Sequence, residues 1–172
     1  MENLVLSGGG VNGIVELGSL KALEKLNLLK NIKNYCGSSI GSLICFLLIL
    51  DYSPCDIFIM IKKIDYSYLL EENILNFLET YSFCNLNKIK IFLTSLLKLK
   101  YNTSKITYLE LYNKTKKNLN IVAISLSNKE IVTFNYINTP NIDVIDTVIA
   151  SSSIPLVFPP KKIENIEYFD AF

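Results

Sequence analysis

The sequence predicts an α/β fold built on a central, mostly parallel sheet. A short apolar run, a glycine-rich loop and a helical pattern open the chain, and a second short run, a sharp turn and an apolar helix follow. Strands that alternate with helices in this way are typical of parallel sheets with helical crossovers. The 172 residues are 50% hydrophobic, which suits a domain with its own core and excludes a disordered chain. We therefore expect residues 1–172 to form a single domain.

The first four elements are predicted from the alternation of apolar runs and breakers. We expect strands at residues 4–6 and 34–36, as in the short buried strands of parallel sheets. Helices are predicted over residues 13–26 and 40–50. The residues predicted to share the buried face of the first helix are Val15, Ala22, Leu23 and Leu26.

Caps and turn signals predict the rest of the chain. Pro54 lies in the first turn of one expected helix, and Thr107 and Glu110 have the spacing of a capping box. Ser127-Asn128-Lys129 marks a turn between two strands. The predicted helices cover residues 53–64, 70–80, 87–100 and 143–151, with a short one from 107. The predicted strands cover residues 120–125, 131–136 and 163–169.

Composition excludes several classes of function. The chain has no histidine, so it cannot hold a Ser-His-Asp triad, a Cys-His pair or a zinc site that uses histidine. All of its 17 basic residues are lysine, and the net charge is +1. Guanine readout by arginine is therefore impossible, and no strong positive field attracts nucleic acid. We expect no nucleic-acid partner.

Cysteines and apolar segments indicate the compartment. Cys36, Cys45, Cys55 and Cys84 form no C-x-x-C pair, so we expect free, buried thiols in a reducing environment. The longest apolar stretch, residues 40–50, is far shorter than the ~20 residues that span a bilayer. The first residues lack the pattern of a signal peptide. These features predict a cytoplasmic protein, with peripheral attachment to membranes as a further option.

The loop Gly8-Gly9-Gly10-Val11-Asn12-Gly13 lies between the first strand and the first helix. A dinucleotide-binding loop has this spacing, but it needs an acidic residue ~20 positions later, where the chain has Tyr35, Cys36 and Gly37. A phosphate-binding Walker loop needs a lysine after the last glycine, and Ile14 stands there. An oxyanion hole made of backbone amides and a purely structural turn both fit the loop.

Gly37-Ser38-Ser39-Ile40-Gly41 has the G-x-S-x-G pattern of a nucleophile elbow and joins the second strand to the second helix. The pattern predicts Ser39 as a nucleophile, with Gly37 and Gly41 small enough for the tight turn. Without histidine, another residue type must act as its base. The aspartates considered are Asp51, Asp56, Asp65, Asp143, Asp146 and Asp170. Asp143 and Asp146 fit a helix N-terminus, whereas Asp170 follows an apolar strand, where the sites of α/β sheets gather.

Four sequence blocks together resemble the patatin-like phospholipase family. They are the glycine loop at 8–13, the elbow at 37–41, the block at 150–155 with Phe158-Pro159, and the late Asp170. The resemblance covers essentially the whole chain, in order and at suitable spacing. It implies a three-layer α/β/α sandwich that hydrolyses acyl esters of phospholipids or other lipids, without a metal or another cofactor. Transient contact with a membrane surface is then also expected.

The resemblance also implies a role for each candidate residue. Ser39 would be the nucleophile and Asp170 its base, as a Ser-Asp dyad, so the lack of histidine is no obstacle. The backbone amides of the glycine loop would form the oxyanion hole. That assignment covers Gly8, Gly9, Gly10 and Gly13, with the amides of Gly9 and Gly10 at its centre.

Three departures from the family pattern favour an alternative. Asn12 stands where the family usually has a basic residue, and Ala171 stands where it has glycine. The chain also stops two residues after Asp170, so one interpretation is a domain truncated at its C-terminal end. The alternative is a weakly active or inactive lipid-binding or membrane-binding module of the same fold. The helix at 87–100 either packs into the core or rests on a membrane with its lysines near the headgroups.

Overall fold

A mixed six-stranded sheet lies at the centre of the computed structural model, which describes residues 1–63 and 86–171. The strands are β1 (Asn3–Leu6), β2 (Asn34–Ser38), β3 (Asn118–Ser125), β4 (Glu130–Phe134), β5 (Lys161–Ile163) and β6 (Ile166–Asp170). β1, β2 and β3 are parallel, whereas β4 and β6 pair antiparallel with β3, and β5 pairs antiparallel with β6. The predicted α/β class is confirmed.

Two strands share one flank of β3. On the other flank, β4 pairs continuously with residues 121–125 of β3. On the shared flank, β2 pairs with β3 as far as Val122, and β6 takes over from Ala123 to Ser125. Because β2 is parallel to β3 and β6 is antiparallel to it, the carboxyl ends of β2 and β6 meet on this flank.

The described ranges of the chain contain six α-helices. They are α1 (Gly13–Lys25), α2 (Ile40–Ile49), α3 (Pro54–Lys62), α4 (Leu86–Tyr101), α5 (Tyr108–Thr115) and α6 (Val144–Ser151). α2 contacts β1, β2 and β3, and α6 contacts β3, β5 and β6. The predicted helix at 70–80 lies outside the described residues. None of the described helices is long and apolar enough to cross a membrane.

Local capping fixes where three of these helices begin. The side chain of Ser53 caps α3 and that of Thr107 caps α5, each in a complete capping box. Asp143 caps α6 by accepting a hydrogen bond from the amide of Ile145 at 2.8 Å. The capping box predicted at Thr107 and the helix N-terminus predicted at Asp143 are confirmed. Both depend only on residues three or fewer positions apart.

The core includes the contacts that α2 and α6, which also touch each other, make with one face of the sheet. Side chains alternate along β3, where Leu119, Ile121 and Ala123 are buried against that face. α2 is buried along nearly its whole length. On the opposite face of the described sheet, Val5 and Ile131 are largely exposed.

The predicted buried face of α1 is wrong for three of its four residues. Leu17 and Leu20 are buried. Of the predicted residues, Leu23 packs against the core, whereas Val15, Ala22 and Leu26 are exposed. The reason is the first residue of the helix, Gly13, which packs closely against Ile40 and so sets the inward face. Residues four and seven positions after Gly13 share that face.

The last predicted strand is in fact a hairpin. β5 and β6 are joined at Glu164 and Asn165, which have φ values of 47° and 71°. Two successive residues with positive φ form the turn that matches the twist of a two-stranded ribbon. The continuous strand expected over 163–169 is therefore broken after Ile163.

α4 packs into the core. Leu93, Leu96 and Leu97 are buried on one side of the helix, and the ammonium group of Lys90 pairs with Asp146 of α6 at 2.8 Å. This packing agrees with the core-packing interpretation of the helix predicted at 87–100.

Candidate active site

Ser39 forms the turn between β2 and α2. Its backbone has φ 52° and ψ −127°, a combination that lies outside the regions residues other than glycine usually occupy. Such a conformation costs about 1–3 kcal/mol and is found at functional sites. A serine held in this way at the end of a strand is the geometry of a nucleophile elbow. The backbone at Ser39 therefore has the shape that the G-x-S-x-G pattern predicts, and the role of Ser39 as a nucleophile stays a prediction.

Two glycines permit the turn because no side chain fits at either position. A Cβ atom on Gly37 would lie 2.5 Å from the carbonyl oxygen of Gly41. A Cβ atom on Gly41 would lie 2.5 Å from the carbonyl oxygen of Leu6 and 2.7 Å from that of Ser7. These obstacles are backbone atoms, which cannot rotate away. The elbow is therefore packed directly against the end of β1, where the glycine loop begins.

The glycine loop lies beside the elbow. Gly10 has φ 54° and opens a short 3₁₀ turn, Gly10–Asn12, after which Gly13 packs against Ile40, the neighbour of Ser39. The amide of Asn12 donates to the carbonyl oxygen of Gly9 at 3.0 Å. The amides of Gly8, Gly9 and Gly10 donate to no acceptor within the described residues. Three successive amides of the loop are thus available for an external anion.

Ser151, at the end of α6, fixes the backbone of the elbow. The amide of Ser39 donates to Oγ of Ser151 at 2.9 Å, and that hydroxyl donates to the carbonyl oxygen of Val122 at 2.6 Å. The carbonyl oxygen of Ser39 accepts from Oγ of Ser42 at 2.6 Å and from Oγ of Ser152 at 3.4 Å. Both polar backbone groups of the strained residue are therefore satisfied by serine side chains.

The sequence indicated the serines at 151–153 only as part of the family pattern and predicted no role for them. The signal that could have found it is the run Ser151-Ser152-Ser153 at the end of an apolar helix. A run of buried hydroxyls at a helix end needs partners.

Asp170 is the last residue of β6, where the carboxyl ends of β2 and β6 meet. Ser38 pairs with Val122, and Asp170 pairs with the next residue of the same strand, Ala123. Asp170 is 2% exposed, and its amide donates to the carbonyl oxygen of Ser153 at 3.0 Å. The structure thus brings Asp170 to the flank of β3 from which the elbow departs.

The route by which Asp170 reaches this place differs from the expected one. Asp170 belongs to the strand rather than following it, and β6 runs antiparallel to β3. The carboxyl end of β6 reaches the site because β6 pairs with β3 from Ala123 onward, directly after the last residue of β3 that pairs with β2. Ala171 has no positive φ, so alanine in place of the family's glycine causes no backbone strain there.

Two aspartates on α6 have shifted pKa values. Burial raises the pKa of Asp143. For Asp146, burial favours the neutral form, but the hydrogen bonds and charges of Lys90 and Lys161 outweigh it and lower the pKa. The two ammonium groups lie 2.8 Å and 2.9 Å from Oδ1 of Asp146. This cluster joins α4, α6 and β5 and thereby supports the hairpin that carries Asp170.

Two of the described cysteines, Cys36 and Cys45, have the properties of structural thiols. Cys36, Cys45 and Cys55 are free, and burial raises the pKa of Cys36 and of Cys45. Thiols with raised pKa values are poor nucleophiles at neutral pH. Cys84 lies outside the described residues. Within residues 1–63 and 86–171, no three histidine, cysteine or acidic side chains are grouped so as to hold a metal ion.

A cavity of about 440 Å³ lies at the other end of the sheet, near the start of β2. Its lining includes Tyr35, Tyr52, Asp51 and Lys117 and none of the candidate catalytic residues. Lys117 pairs with Asp51 at 3.0 Å across this region. The cavity is therefore separate from the elbow.

Comparison with known proteins identifies the family. The family described as Patatin-like phospholipase matches residues 4–171. The chain therefore belongs to the patatin-like phospholipase family. A protein of Invertebrate iridescent virus 6 named "Probable lipid hydrolase 463L" is 34% identical over 98% of this chain and 59% of its own length. Protein R571 of Acanthamoeba polyphaga mimivirus is 28% identical over 99% of this chain and 57% of its own length. The chain thus spans somewhat more than half the length of these relatives.

Solved structures show the same fold. VipD from Legionella pneumophila superposes with a TM-score of 0.73 over 98% of this chain and 45% of its own, at 20% identity. ExoU, in its heterodimeric complex with SpcU from the type III secretion system of Pseudomonas aeruginosa, gives a TM-score of 0.66 at 24% identity. That match covers 95% of this chain and 38% of the other. The patatin fold expected from the sequence is confirmed.

Proposed function

We propose that the chain is a lipid acyl hydrolase that uses a Ser-Asp dyad. The observation that carries the proposal is the elbow at Ser39, placed where the carboxyl ends of β2 and β6 meet beside Asp170. Membership of the patatin-like phospholipase family supports the same activity. The substrate class is an acyl ester of a phospholipid or a related lipid.

The reaction needs one proton acceptor and two chemical stages. The hydroxyl of Ser39 gives its proton to the carboxylate of Asp170 while Oγ bonds to the acyl carbon, and the carbonyl electrons move to oxygen. The tetrahedral intermediate collapses, the ester bond breaks, and the leaving alcohol takes the proton from Asp170. Water then attacks the acyl-serine in the same manner and releases the fatty acid.

The glycine loop would stabilise the developing negative charge. The amides of Gly8, Gly9 and Gly10 have no acceptor within the described residues, and the loop is packed against the elbow. Preorganised amides of this kind contribute about 3–4 kcal/mol each to a transition state when they face an oxyanion. The side chain of Asn12 takes no part, because this stabilisation comes from backbone groups.

The mechanism requires no metal. The amides of the loop would supply the electrophilic assistance that a cation gives in other hydrolases. We therefore expect turnover to persist in the presence of a strong chelator.

The proposal is tested with two substitutions and one matched control. Ser39→Ala should reduce hydrolysis of a short-chain ester to background and abolish labelling by a fluorophosphonate probe. Asp170→Asn keeps the shape of the side chain but removes the base, and should lower the rate by at least ~100-fold. Ser19→Ala, an exposed serine on α1, should change neither readout. Labelling of Ser39→Ala at the wild-type level would exclude Ser39 as the nucleophile.

The alternative function is a lipid-binding module without catalysis. The same set of variants separates the two functions. If wild type, Ser39→Ala and Asp170→Asn hydrolyse the ester equally slowly while all three bind lipid, the chain is a binding module.

A further inference from the structure

The turn that follows α6 starts from the candidate active site. Oγ of Ser152 donates to the carbonyl oxygen of Ser39, and the carbonyl oxygen of Ser153 accepts from the amide of Asp170. Leu156 follows only three residues later. Any object that contacts Leu156 is therefore close to the elbow and to the end of β6.

The turn is rigid. The amides of Val157 and Phe158 both donate to the carbonyl oxygen of Ile154, at 3.1 Å and 2.9 Å. Prolines at positions 155, 159 and 160 further restrict the backbone. The position of the apolar side chains at this turn is thus determined by the fold.

Leu156 is unfavourable at its position by two independent criteria. Its φ is 70°, in the left-handed region, where glycine and asparagine are better tolerated. Its side chain is 73% exposed, so packing within the described chain does not compensate. An exposed apolar residue in a strained conformation suggests an external partner rather than a role in folding.

A second apolar turn adjoins the elbow through the residue after Ser39. α1 begins at Gly13, which contacts the side chain of Ile40, the residue after Ser39. Ile14 and Val15 in its first turn are exposed, Val15 to 71%. The two apolar turns are thus both rooted at residues that adjoin Ser39.

The chemistry of the partner follows from the charges. Residues 8–15 and 154–160 contain no charged side chain. An uncharged apolar rim matches the interface of a zwitterionic lipid bilayer, into which leucine and valine side chains insert. It does not provide the cluster of lysines that would recognise an anionic surface.

We infer that the turn at Leu156 and Val157, together with Ile14 and Val15, is the surface that docks the candidate site onto a neutral lipid bilayer. The inference rests on the proposed function, because lipid hydrolysis places the substrate ester in such a bilayer. It moves the membrane contact away from α4, which packs into the core. The docked orientation brings the elbow to the interface where ester groups lie.

The test compares Leu156→Asn with Leu99→Asn. Leu99, near the end of α4, is 79% exposed, and the next residue, Lys100, bonds to Asp51 at the far end of α2. It is a control of equal exposure, remote from the elbow. Sedimentation with phosphatidylcholine vesicles measures the partition of each variant. Leu156→Asn should lower partition about tenfold, and the double variant with Val15→Asn should lower it about a hundredfold. Leu99→Asn should bind as the wild type does.

A thermal melt provides a second readout. Asparagine tolerates positive φ, so Leu156→Asn should melt at the same temperature as the wild type or higher while binding vesicles less. A loss of binding caused by misfolding would lower the melting temperature instead. The inference is overturned if Leu156→Asn binds as the wild type does, or if Leu99→Asn loses as much.

Two further measurements identify other occupants of the surface. Vesicle binding that requires phosphatidylserine and disappears in high salt would overturn the inference. Such binding would indicate attraction between lysine side chains and an anionic membrane instead. A dimer that dissociates on Leu156→Asn in the absence of lipid would assign the surface to a second copy of the chain and would also overturn the inference.

Turnover of a soluble short-chain ester by the wild type is measured in parallel. Its absence would overturn the proposed function while the vesicle results still decide the docking surface.

Discussion

Ser39 and Asp170 reach the same flank of β3 but are held there by different forces. The elbow at Ser39 is fixed by backbone atoms in contact, since Gly37 and Gly41 leave no room for a side chain. Asp170 arrives on the β5–β6 hairpin, which is fixed by strand pairing and by the ion pairs of Asp146. Steric contacts do not respond to pH or salt, whereas ion pairs do. The side of the site that carries the proposed base, Asp170, is therefore the side that solution conditions can loosen.

The largest expected effect tests the steric half of this comparison. Gly37→Ala places a Cβ atom 2.5 Å from the carbonyl oxygen of Gly41 and should lower the free energy of unfolding by about 3 kcal/mol, as overpacking does at a rigid position. Gly18→Ala is the matched control, because Gly18 lies within α1 and has no atom within 4 Å of the added methyl. That variant should gain about 0.5–1 kcal/mol. Chemical denaturation measures both, and equal effects would contradict the steric account.

The next effect concerns the hydroxyl that joins the elbow to β3. Ser151→Ala removes the acceptor for the amide of Ser39 and the donor to Val122, so it should cost about 1–3 kcal/mol and lower kcat. Ser153→Ala is an equally buried control on the same helix end, whose hydroxyl bonds only to the carbonyl oxygen of Ile149. It should cost less than Ser151→Ala and leave kcat higher. If the order of the two variants is reversed, Ser151 does not position the elbow.

A smaller effect of opposite sign is expected from relief of strain. Glycine accepts the φ and ψ of Ser39 without steric cost, so Ser39→Gly should raise the free energy of unfolding by about 1 kcal/mol while abolishing hydrolysis. Ser39→Ala keeps the strain and should not gain stability. Comparison of the two variants by thermal melts separates the strain from the loss of the hydroxyl.

The smallest effect tests the electrostatic half of the comparison. The pKa of Asp146 in the folded chain lies below its unfolded value, so its contribution to stability is present above the unfolded pKa and disappears as pH falls through the folded pKa. Asp146→Asn should therefore cost about 1 kcal/mol near pH 7. The difference from wild type should decrease as pH falls below the unfolded pKa of about 3.9 and vanish below the folded pKa. Because the charge of Asp146 also helps to raise the pKa of Asp143, the double variant Asp143→Asn Asp146→Asn, compared with Asp143→Asn alone, isolates the titration of Asp146. A difference that is constant with pH would show that packing, not charge, matters at Asp146.

The parts of the site that depend on near neighbours in the chain could be predicted from the sequence. The elbow is defined by five consecutive residues, and the caps at Ser53 and Thr107 depend on residues three positions away. In these cases the sterics and hydrogen bonds lie within one turn. Local pattern therefore determines local structure.

The parts that depend on distant contacts could not be predicted in this way. Ser151 bonds to an amide 112 residues away, and no spacing in the sequence indicates that pair. The pairing of one edge of β3 first with β2 and then with β6 is likewise a property of the assembled sheet. The buried face of α1 was missed for the same reason, since its orientation is set by the contact between Gly13 and Ile40. The turn at Glu164 and Asn165 could not be predicted because neither residue is the glycine that marks most such turns.

The shared flank of β3 has a consequence for how the site comes into being. Ser38 and Asp170 pair with neighbouring residues of β3, Val122 and Ala123, although most of the chain separates them in sequence. Contacts of such long sequence separation form late in folding, because a large loop must close first. During synthesis, β1, β2 and β3 can pair before residues 166–170 exist, and the elbow can form without Asp170, the proposed base. Under the proposed mechanism, hydrolysis would thus begin only when β6 docks, and a protein of this design would remain chemically silent until that strand has been made.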